Sequence, residues 1–406
     1  MSRAAAGTIV AKRSLPLARV LARSFAEHHP EIPFFVLLTD EVDRRFDPAA
    51  EGFRLLRLSD LAIPQVERLR FQYGQQPLSY AMTPCLLRHL LDLGFDRALF
   101  LKQESLVVGA LPALFESLER HPIVLTPHLV RPLDGADGVA RELNVLLSGS
   151  FNLGVLAVAD TPTAREFLDW WADRLRTHCL HDVGRGLHFE QRWIDLVPGY
   201  FEGVLVLRDP GYNVGHWCLP ERAVELRPDG ITVDGRPGRL FRFSGFDPDQ
   251  PQAATRHSRR LTMSGLGPAA AIFQRYRELL LAAGYHEALA WPYAYSAFDN
   301  GVPVPDVARE MYRELGEAVA AFGDPLHSSH RSSFFRWLSE PVDTDAPGRR
   351  SRPVSRLLSA LYERRPDVQR AFPEPLGKHR RDFLEWAARS APAEHGVPAC
   401  FLAQAT

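Results

Sequence analysis

The sequence predicts an α/β domain followed by an all-helical extension, and three patterns carry that expectation. Short β-branched apolar runs alternate with amphipathic stretches through the first hundred residues. Gly and Pro punctuate the joints between them. From about residue 266 onward only segments of helical period remain. A chain of 406 residues is long enough for one large core and a smaller second one. The expected division is an α/β part over 1–265 and a helical part over 266–406.

The elements follow in order. "AGTIVA" (6–11) and "PFFVLLTD" (33–40) read as strands, and between them Leu17, Val20, Leu21 and Phe25 lie on one helical face. That strand–helix–strand unit argues for a parallel sheet with right-handed crossovers. "GFRLLRL" (52–58) is a third strand, "TPCLLRHLLDLGF" (83–95) a helix with Gly94 near its C-cap, and "RALFL" (97–101) a fourth strand. A helix "PALFESLERH", a strand "PIVLTPH" and a polar loop "RPLDGADG" come next. They are followed by a strand over 150–159 and helices over 164–180 and 189–201. "GVLVLRD" and "RLFRFSGF" supply later strands, and "LRPDGITVDGRPG" carries two turn signals, as a hairpin does. Amphipathic helices fill the rest, with a Pro/Ser/Arg-rich joint, "DTDAPGRRSRP", among them.

Composition narrows the function classes. Hydrophobic content of 46%, charged content of 24% and a net charge of −1 describe an ordinary globular chain with no field that attracts nucleic acid or an acidic membrane. Basic runs such as "RHSRR", "GRRSR" and "KHRRD" are short and lack interleaved aromatics for base stacking, so no nucleic-acid partner is expected. No window approaches the roughly 18 apolar residues of a membrane span, and the start lacks a signal-peptide core. Four scattered cysteines without a C-x-x-C pair fit free thiols in a reducing, cytoplasmic setting. His178, Cys179, His181 and His188 cluster in sequence but match no zinc spacing. Phosphate-loop, nucleophile-elbow and H-E-x-x-H motifs are missing, which disfavours kinase, hydrolase and metalloprotease chemistry.

"FLKQESLVVG", "SFNLGVLAV", "FEQRWIDLVPG" and "FRFSGF", in that order, carry a resemblance. Together they resemble the retaining GT-A glycosyltransferases of the glycogenin and bacterial galactosyltransferase type. "DPGYNV" and "FSGFDPD" are similar to segments of a broad set of bacterial enzymes of that type. The likeness covers most of residues 7–265. It implies a nucleotide-binding α/β fold, a nucleotide-sugar donor linked to UDP or TDP, and an acceptor that is a small molecule, glycan or peptide.

Carried over residue by residue, the resemblance places Thr8, Ile9, Val10, Ala11 and Asp40 at the donor nucleoside; Ile9 and Val10 equally fit a strand core. The family's metal-binding Asp-x-Asp falls on Lys102-Gln103-Glu104, and the His of its "HFxG" motif falls on Arg242. Two positions that should coordinate a divalent ion thus hold cations, and Glu104 alone makes a poor site for a hard metal. The expectation is that no metal is used and that Lys102 and Arg242 replace it at the diphosphate, where Glu104, Gly245, Arg256 and His257 bind as well. A decayed, non-catalytic relative and a metal enzyme built around Glu104 are the alternatives.

At the sugar end the resemblance points to Asn152, Glu190 and Gln191. An amide steadies an oxocarbenium ion without trapping it; a carboxylate orients hydroxyls or attacks the anomeric carbon. The family has Asp where this chain has Glu190, so both roles stay open, as does a plain helix-start carboxylate. Tyr212, Asn213, His216 and Trp217 are candidate acceptor contacts, although aromatics at such density also build cores. Tyr293, Tyr295, Phe298, Asp299 and Asn300 open the helical part, where association as a homodimer is an expectation.

Overall fold

The computed structural model describes residues 3–259, 261–342 and 353–402. Most of the joint expected over 343–353, and the basic run at 348–352, lie outside the described residues, as does Arg260 of "RHSRR". Chain contacts divide the protein into two compact units, Met1–Ile63 with Gln75–Tyr293, and Pro64–Gly74 with Ala294–Thr406.

In the first unit, strands β1 (Ala4–Val10), β2 (Phe34–Leu38), β3 (Arg54–Arg57) and β4 (Arg97–Leu101) precede the short β5 (Ser105–Val107). Then come β6 (Ile123–Pro127), β7 (Phe151–Ala159), β8 (His181–Asp182), β9 (Leu187–His188) and β10 (Leu205–Val206). The main sheet runs in the order β10-β6-β7-β4-β1-β2-β3. It is parallel through β4, β1, β2 and β3, while β7 runs antiparallel to both β4 and β6. The first strand–helix–strand unit is parallel, as expected, and β7 makes the whole sheet mixed. Full burial on both faces explains why β2 reads as an unbroken apolar run.

The chain leaves β1 toward β2 and β3, then returns on the other side of β1 as β4. That reversal makes a switch point between the carboxyl ends of β1 and β4, where open α/β sheets bind their ligands. Residues 11–12 and 102–104 therefore border the crevice by topology alone.

A three-stranded piece follows, β11 (Val224–Arg227), β12 (Gly230–Val233) and β13 (Arg236–Pro237), as the turn signals predict. Strand β14 (Leu240–Arg242) pairs antiparallel with β5 and not with the main sheet. This places Arg242 opposite Ser105, three residues beyond Lys102. The segment read as the loop "RPLDGADG" starts a helix instead, Gly135–Ser148, and short helices Val66–Gln72 and Gln75–Ala81 also escaped the sequence pattern. Pro77 and the adjacent Gly74 mask the helical period of the latter. The expected helix over 189–201 is a 3-10 turn, Gln191–Leu196, running into a single α-turn, Val197–Tyr200.

The helix Ala269–Ala282, assigned from sequence to the extension, packs within the first unit. Its Ile272, Phe273, Tyr276 and Leu280 are buried against Val20, Leu106, Phe241 and Phe243, with Phe243 and Tyr276 stacked at 3.8 Å between ring centroids. Amphipathic helices alone do not tell which core they cover, so the sequence placed the boundary near 265 while the contacts place it at 293.

The second unit is helical, as expected. Phe71 of the helix Val66–Gln72 packs with Tyr312 of Asp306–Glu314 and Phe334 of Phe334–Ser339. The helices Arg356–Glu363 and Arg380–His395 close the same core. Buried Arg309 donates to the carbonyls of Phe71, Tyr73 and Tyr295. Cys179 and Cys218 are buried, Cys85 and Cys400 half-buried, and all four are free thiols. Among the described residues no helix is long and apolar enough to cross a membrane.

Truncating Phe273 to Ala removes a ring from the first unit's core and should cost about 3–5 kcal/mol. Urea unfolding measures it; a loss under about 1 kcal/mol would show that this helix does not belong to that core.

Candidate functional site

Strand β4 ends at Leu101, and the Lys102 N–H then donates to the Gly154 carbonyl of β7 at 3.0 Å. The chain turns sharply here, with Ser105 Oγ donating to the Lys102 carbonyl at 2.5 Å. Lys102 thus leaves the sheet as a side chain aimed across the crevice. Its ammonium donates to Glu190 Oε1 at 2.9 Å and sits 3.6 Å from the centre of the Tyr80 ring. The pair is nearly enclosed, with side-chain exposures of 12% for Lys102 and 2% for Glu190. Burial works against the lysine charge, yet Glu190 and Tyr80 outweigh it and hold its pKa above the ordinary value.

Glu190 is fixed from behind, because the buried Trp171 indole N–H donates to its carbonyl at 3.2 Å. The residue before it, Phe189, has φ of +49°. A bulky side chain in left-handed backbone is strained, and such strain persists only where surroundings over-determine it.

Arg242 enters from β14 and is the second buried cation, 3% exposed. Its Nη1 donates to Ser105 Oγ at 3.3 Å, and its Nη2 lies 3.8 Å from Glu104 Oε2. Its Nε–H is buried and has no protein acceptor. Burial pulls the guanidinium below its ordinary value, and Glu104 only partly offsets this. The cation is therefore under-compensated.

Asn152, Asn213 and Gly154 form one knot beside it. Asn152 Oδ1 accepts from the Gly154 N–H at 2.8 Å and from Asn213 Nδ2 at 3.1 Å. Asn152 Nδ2 lies 2.9 Å from His128 Nε2. Burial pushes His128 down to about 4, so the ring is neutral and Nε2 accepts. Only one amide N–H of Asn152 stays available. A Cβ on Gly154 would come within 2.7 Å of Asn152 Oδ1 and 3.0 Å of Arg242 Cδ, and still closer to Asn213 Oδ1. Glycine is required here for close approach.

The structure sorts the remaining sequence candidates. Gln191 is a structural brace, its amide spanning the Leu153 N–H and the Ser148 carbonyl at 3.1 and 2.9 Å. Tyr212 leaves the acceptor set: it is buried in the main core and its oxygen accepts from the Ala113 N–H. Asn213 joins Asn152, and the His216 ring lies 5.2 Å from Trp217 and 5.4 Å from His257. Gly245 takes φ of +73°, and a Cβ there would meet the His257 ring at 2.6 Å. Arg256 is exposed.

At the end of β1, Thr8, Ile9, Val10 and Ala11 are all buried, and the Val10 and Ala11 carbonyls accept from Thr39 and Ser14. Asp40 does not face a ligand freely. It accepts from the Lys12 N–H, the Lys12 ammonium and the Glu41 N–H.

Lys12 is the residue the motifs missed. It is fully buried, bonded to Asp40 at 3.1 Å and Asp43 at 2.5 Å, at the β1 side of the crevice. Nothing in "AKRS" distinguishes it from its neighbour Arg13 except its place one residue past the strand end. Tyr80 and His128 carry no motif either, since each meets its partner, Lys102 and Asn152, only in the fold.

Residues fit for a divalent metal are not assembled here. Among the described residues no group of three or more His, Cys, Asp or Glu could hold an ion. Glu104 and Glu190 each face a cation instead.

No family model matches the chain. The uncharacterized protein YfnD of Bacillus subtilis strain 168 is 22% identical over 246 residues, 59% of this chain and 76% of that protein. Among solved structures, the chain is similar to the galactosyltransferase LgtC in complex with donor and acceptor sugar analogues. The alignment covers 68% of this chain and 95% of that one, at 13% identity and a TM-score of 0.38. The glycosyltransferase GlyE of Streptococcus pneumoniae TIGR4 aligns over 73% of this chain and 67% of its own, at 14% identity and a TM-score of 0.41. Likeness of this depth assigns neither activity nor substrate, which rest on the site itself.

Burial lowers His128 and His188 to about 4 and His216 to about 3. In the unfolded chain each titrates near 6.5. Their contribution is therefore complete above about pH 6.5 and is lost as pH falls toward about 4, where only the unfolded chain binds the protons. Urea midpoints should be level near about pH 7.5 and drop steeply below about pH 6; a flat profile to about pH 5 would contradict this.

Proposed function

We propose that this protein is a GT-A-type glycosyltransferase that moves a sugar from a UDP- or TDP-linked donor to an acceptor hydroxyl. The donor diphosphate lies at the switch point between β1 and β4, met by Lys102 and Arg242 where relatives of the resembled family hold a metal. The observation that carries this reading is Arg242, a buried guanidinium with a loose carboxylate partner at 3.8 Å and an Nε–H without an acceptor. A buried ion needs close compensation, and a phosphate group supplies it bidentately through two of its oxygens.

In the transfer, the acceptor oxygen bonds to the anomeric carbon while the bond from that carbon to the diphosphate oxygen breaks. Both electrons of that bond leave with the nucleoside diphosphate, and the hydroxyl proton passes to the departing phosphate oxygen. Charge therefore grows on the diphosphate. A fixed cation about 4 Å away contributes on the order of 4 kcal/mol at an effective dielectric of about 20. Retention of configuration follows the resemblance. Glu190, tied to Lys102, suits orienting a sugar hydroxyl better than attacking carbon, and the remaining Asn152 N–H can donate to the donor sugar.

One observation favours a binding-only protein as the second reading. Lys102 already has a full partner in Glu190, so the site is half-satisfied without ligand.

Calorimetric titration with UDP and TDP in chelator, followed by a mass-spectrometric screen for hydrolysis of nucleotide sugars, separates the readings. We expect micromolar to millimolar binding that ignores chelator, slow donor hydrolysis, and loss of hydrolysis by at least about 100-fold in Lys102→Met. Binding without any turnover supports the second reading. Activity that vanishes in chelator and returns with Mn²⁺ contradicts the cation mechanism.

A further inference from the structure

The Lys102 ammonium contacts the Glu190 carboxylate and, less obviously, the ring of Tyr80. Nζ lies 3.6 Å from the ring centroid, close for a cation on an aromatic face. Tyr80 belongs to the helix Gln75–Ala81, and its hydroxyl accepts from Gln76 Nε2 at 2.8 Å, which fixes the ring in its own plane. The same ring meets Phe189 edge-on at 5.3 Å between centroids. Phe189 is the strained residue directly before Glu190 and is packed in turn against His181 and His188. One side chain therefore touches both halves of the ion pair, the cation directly and the carboxylate through the backbone that carries it.

An unsupported lysine has four rotatable bonds and would follow its carboxylate wherever that moved. With a ring face beneath it, the ammonium keeps its place when Glu190 turns toward a sugar. We propose that Tyr80 is a positioning residue for the diphosphate end of the site, holding the Lys102 ammonium at the carboxyl end of β4 by its ring face while Glu190 exchanges partners. This rests on the donor site proposed above. It adds a device that lets one lysine serve a carboxylate before the donor binds and a phosphate afterwards. Burial pushes the Tyr80 phenol up, so the ring stays neutral and its face stays available.

The test compares UDP and uridine affinities, measured calorimetrically in chelator. Tyr80→Leu should weaken UDP by on the order of 5- to 30-fold, leave uridine unchanged, and flatten the salt dependence of UDP binding. Tyr80→Phe, which keeps the ring, should restore UDP affinity to within about twofold. Should the leucine variant fold poorly by circular dichroism, pentafluorophenylalanine at position 80 keeps the shape and removes the negative face, with the same loss expected. Equal weakening of UDP and uridine, a phenylalanine variant as poor as leucine, or a fluorinated ring that binds UDP normally overturns the positioning role alone. Wild-type protein that binds neither UDP nor TDP overturns both this role and the donor site.

Discussion

The contact between the Lys102 ammonium and the Glu190 carboxylate organises the crevice. It ties the end of β4 to the turn after β9, elements that are 88 residues apart in sequence. A buried ion pair is weak evidence for stability, since desolvating both charges can cost as much as their attraction returns. What it does supply is a fixed arrangement. Lys102 is aimed across the crevice, Glu190 is held against its ammonium, and the strained backbone at Phe189 is held against relaxation.

The rest of the site follows from that anchor and from the sheet order. Reversal of the strand order around β1 opens a gap at the carboxyl ends of β1 and β4. Among the described residues, cations that border it or the elements beside it include buried Lys12 with two carboxylates, nearly enclosed Lys102 with one, and buried Arg242 with none in close contact. Compensation thus falls off from the β1 side toward β14, and the proposed diphosphate position rests on this least satisfied charge. The Asn152–Asn213–His128 knot lies next to that charge and ties its amides to one another and to the Gly154 N–H, while His128 Nδ1 and Asn213 Oδ1 are buried without a protein partner.

Much of this was legible in the sequence. The α/β class, the strands through residue 101, the hairpin after 224 and the helical close all follow from period and turn residues. The motif positions Lys102, Glu104, Asn152, Glu190 and Arg242 do converge. What stayed hidden depended on long-range contacts. Tyr212 looked like a free aromatic because its burial under the 112–117 helix has no local signal. Gln191 looked catalytic and is a brace, because only the fold brings Ser148 and Leu153 to its amide. Lys12 and Tyr80 carried no motif at all. The helix Ala269–Ala282 had the period of the extension but the partners of the first core. The partnership of Lys102 with Glu190 was also invisible, and it changes the lysine from a free cation to one that the proposed donor would have to share.

That sharing is the central claim, and a double-mutant cycle in UDP affinity tests it most directly, using Lys102→Met, Glu190→Gln and the two together, all in chelator. If Lys102 divides its charge between carboxylate and diphosphate, removing Glu190 tightens UDP binding, removing Lys102 weakens it by about tenfold or more, and the two changes are not additive. Additive effects, or a lysine whose loss leaves UDP affinity unchanged in both backgrounds, would contradict the account.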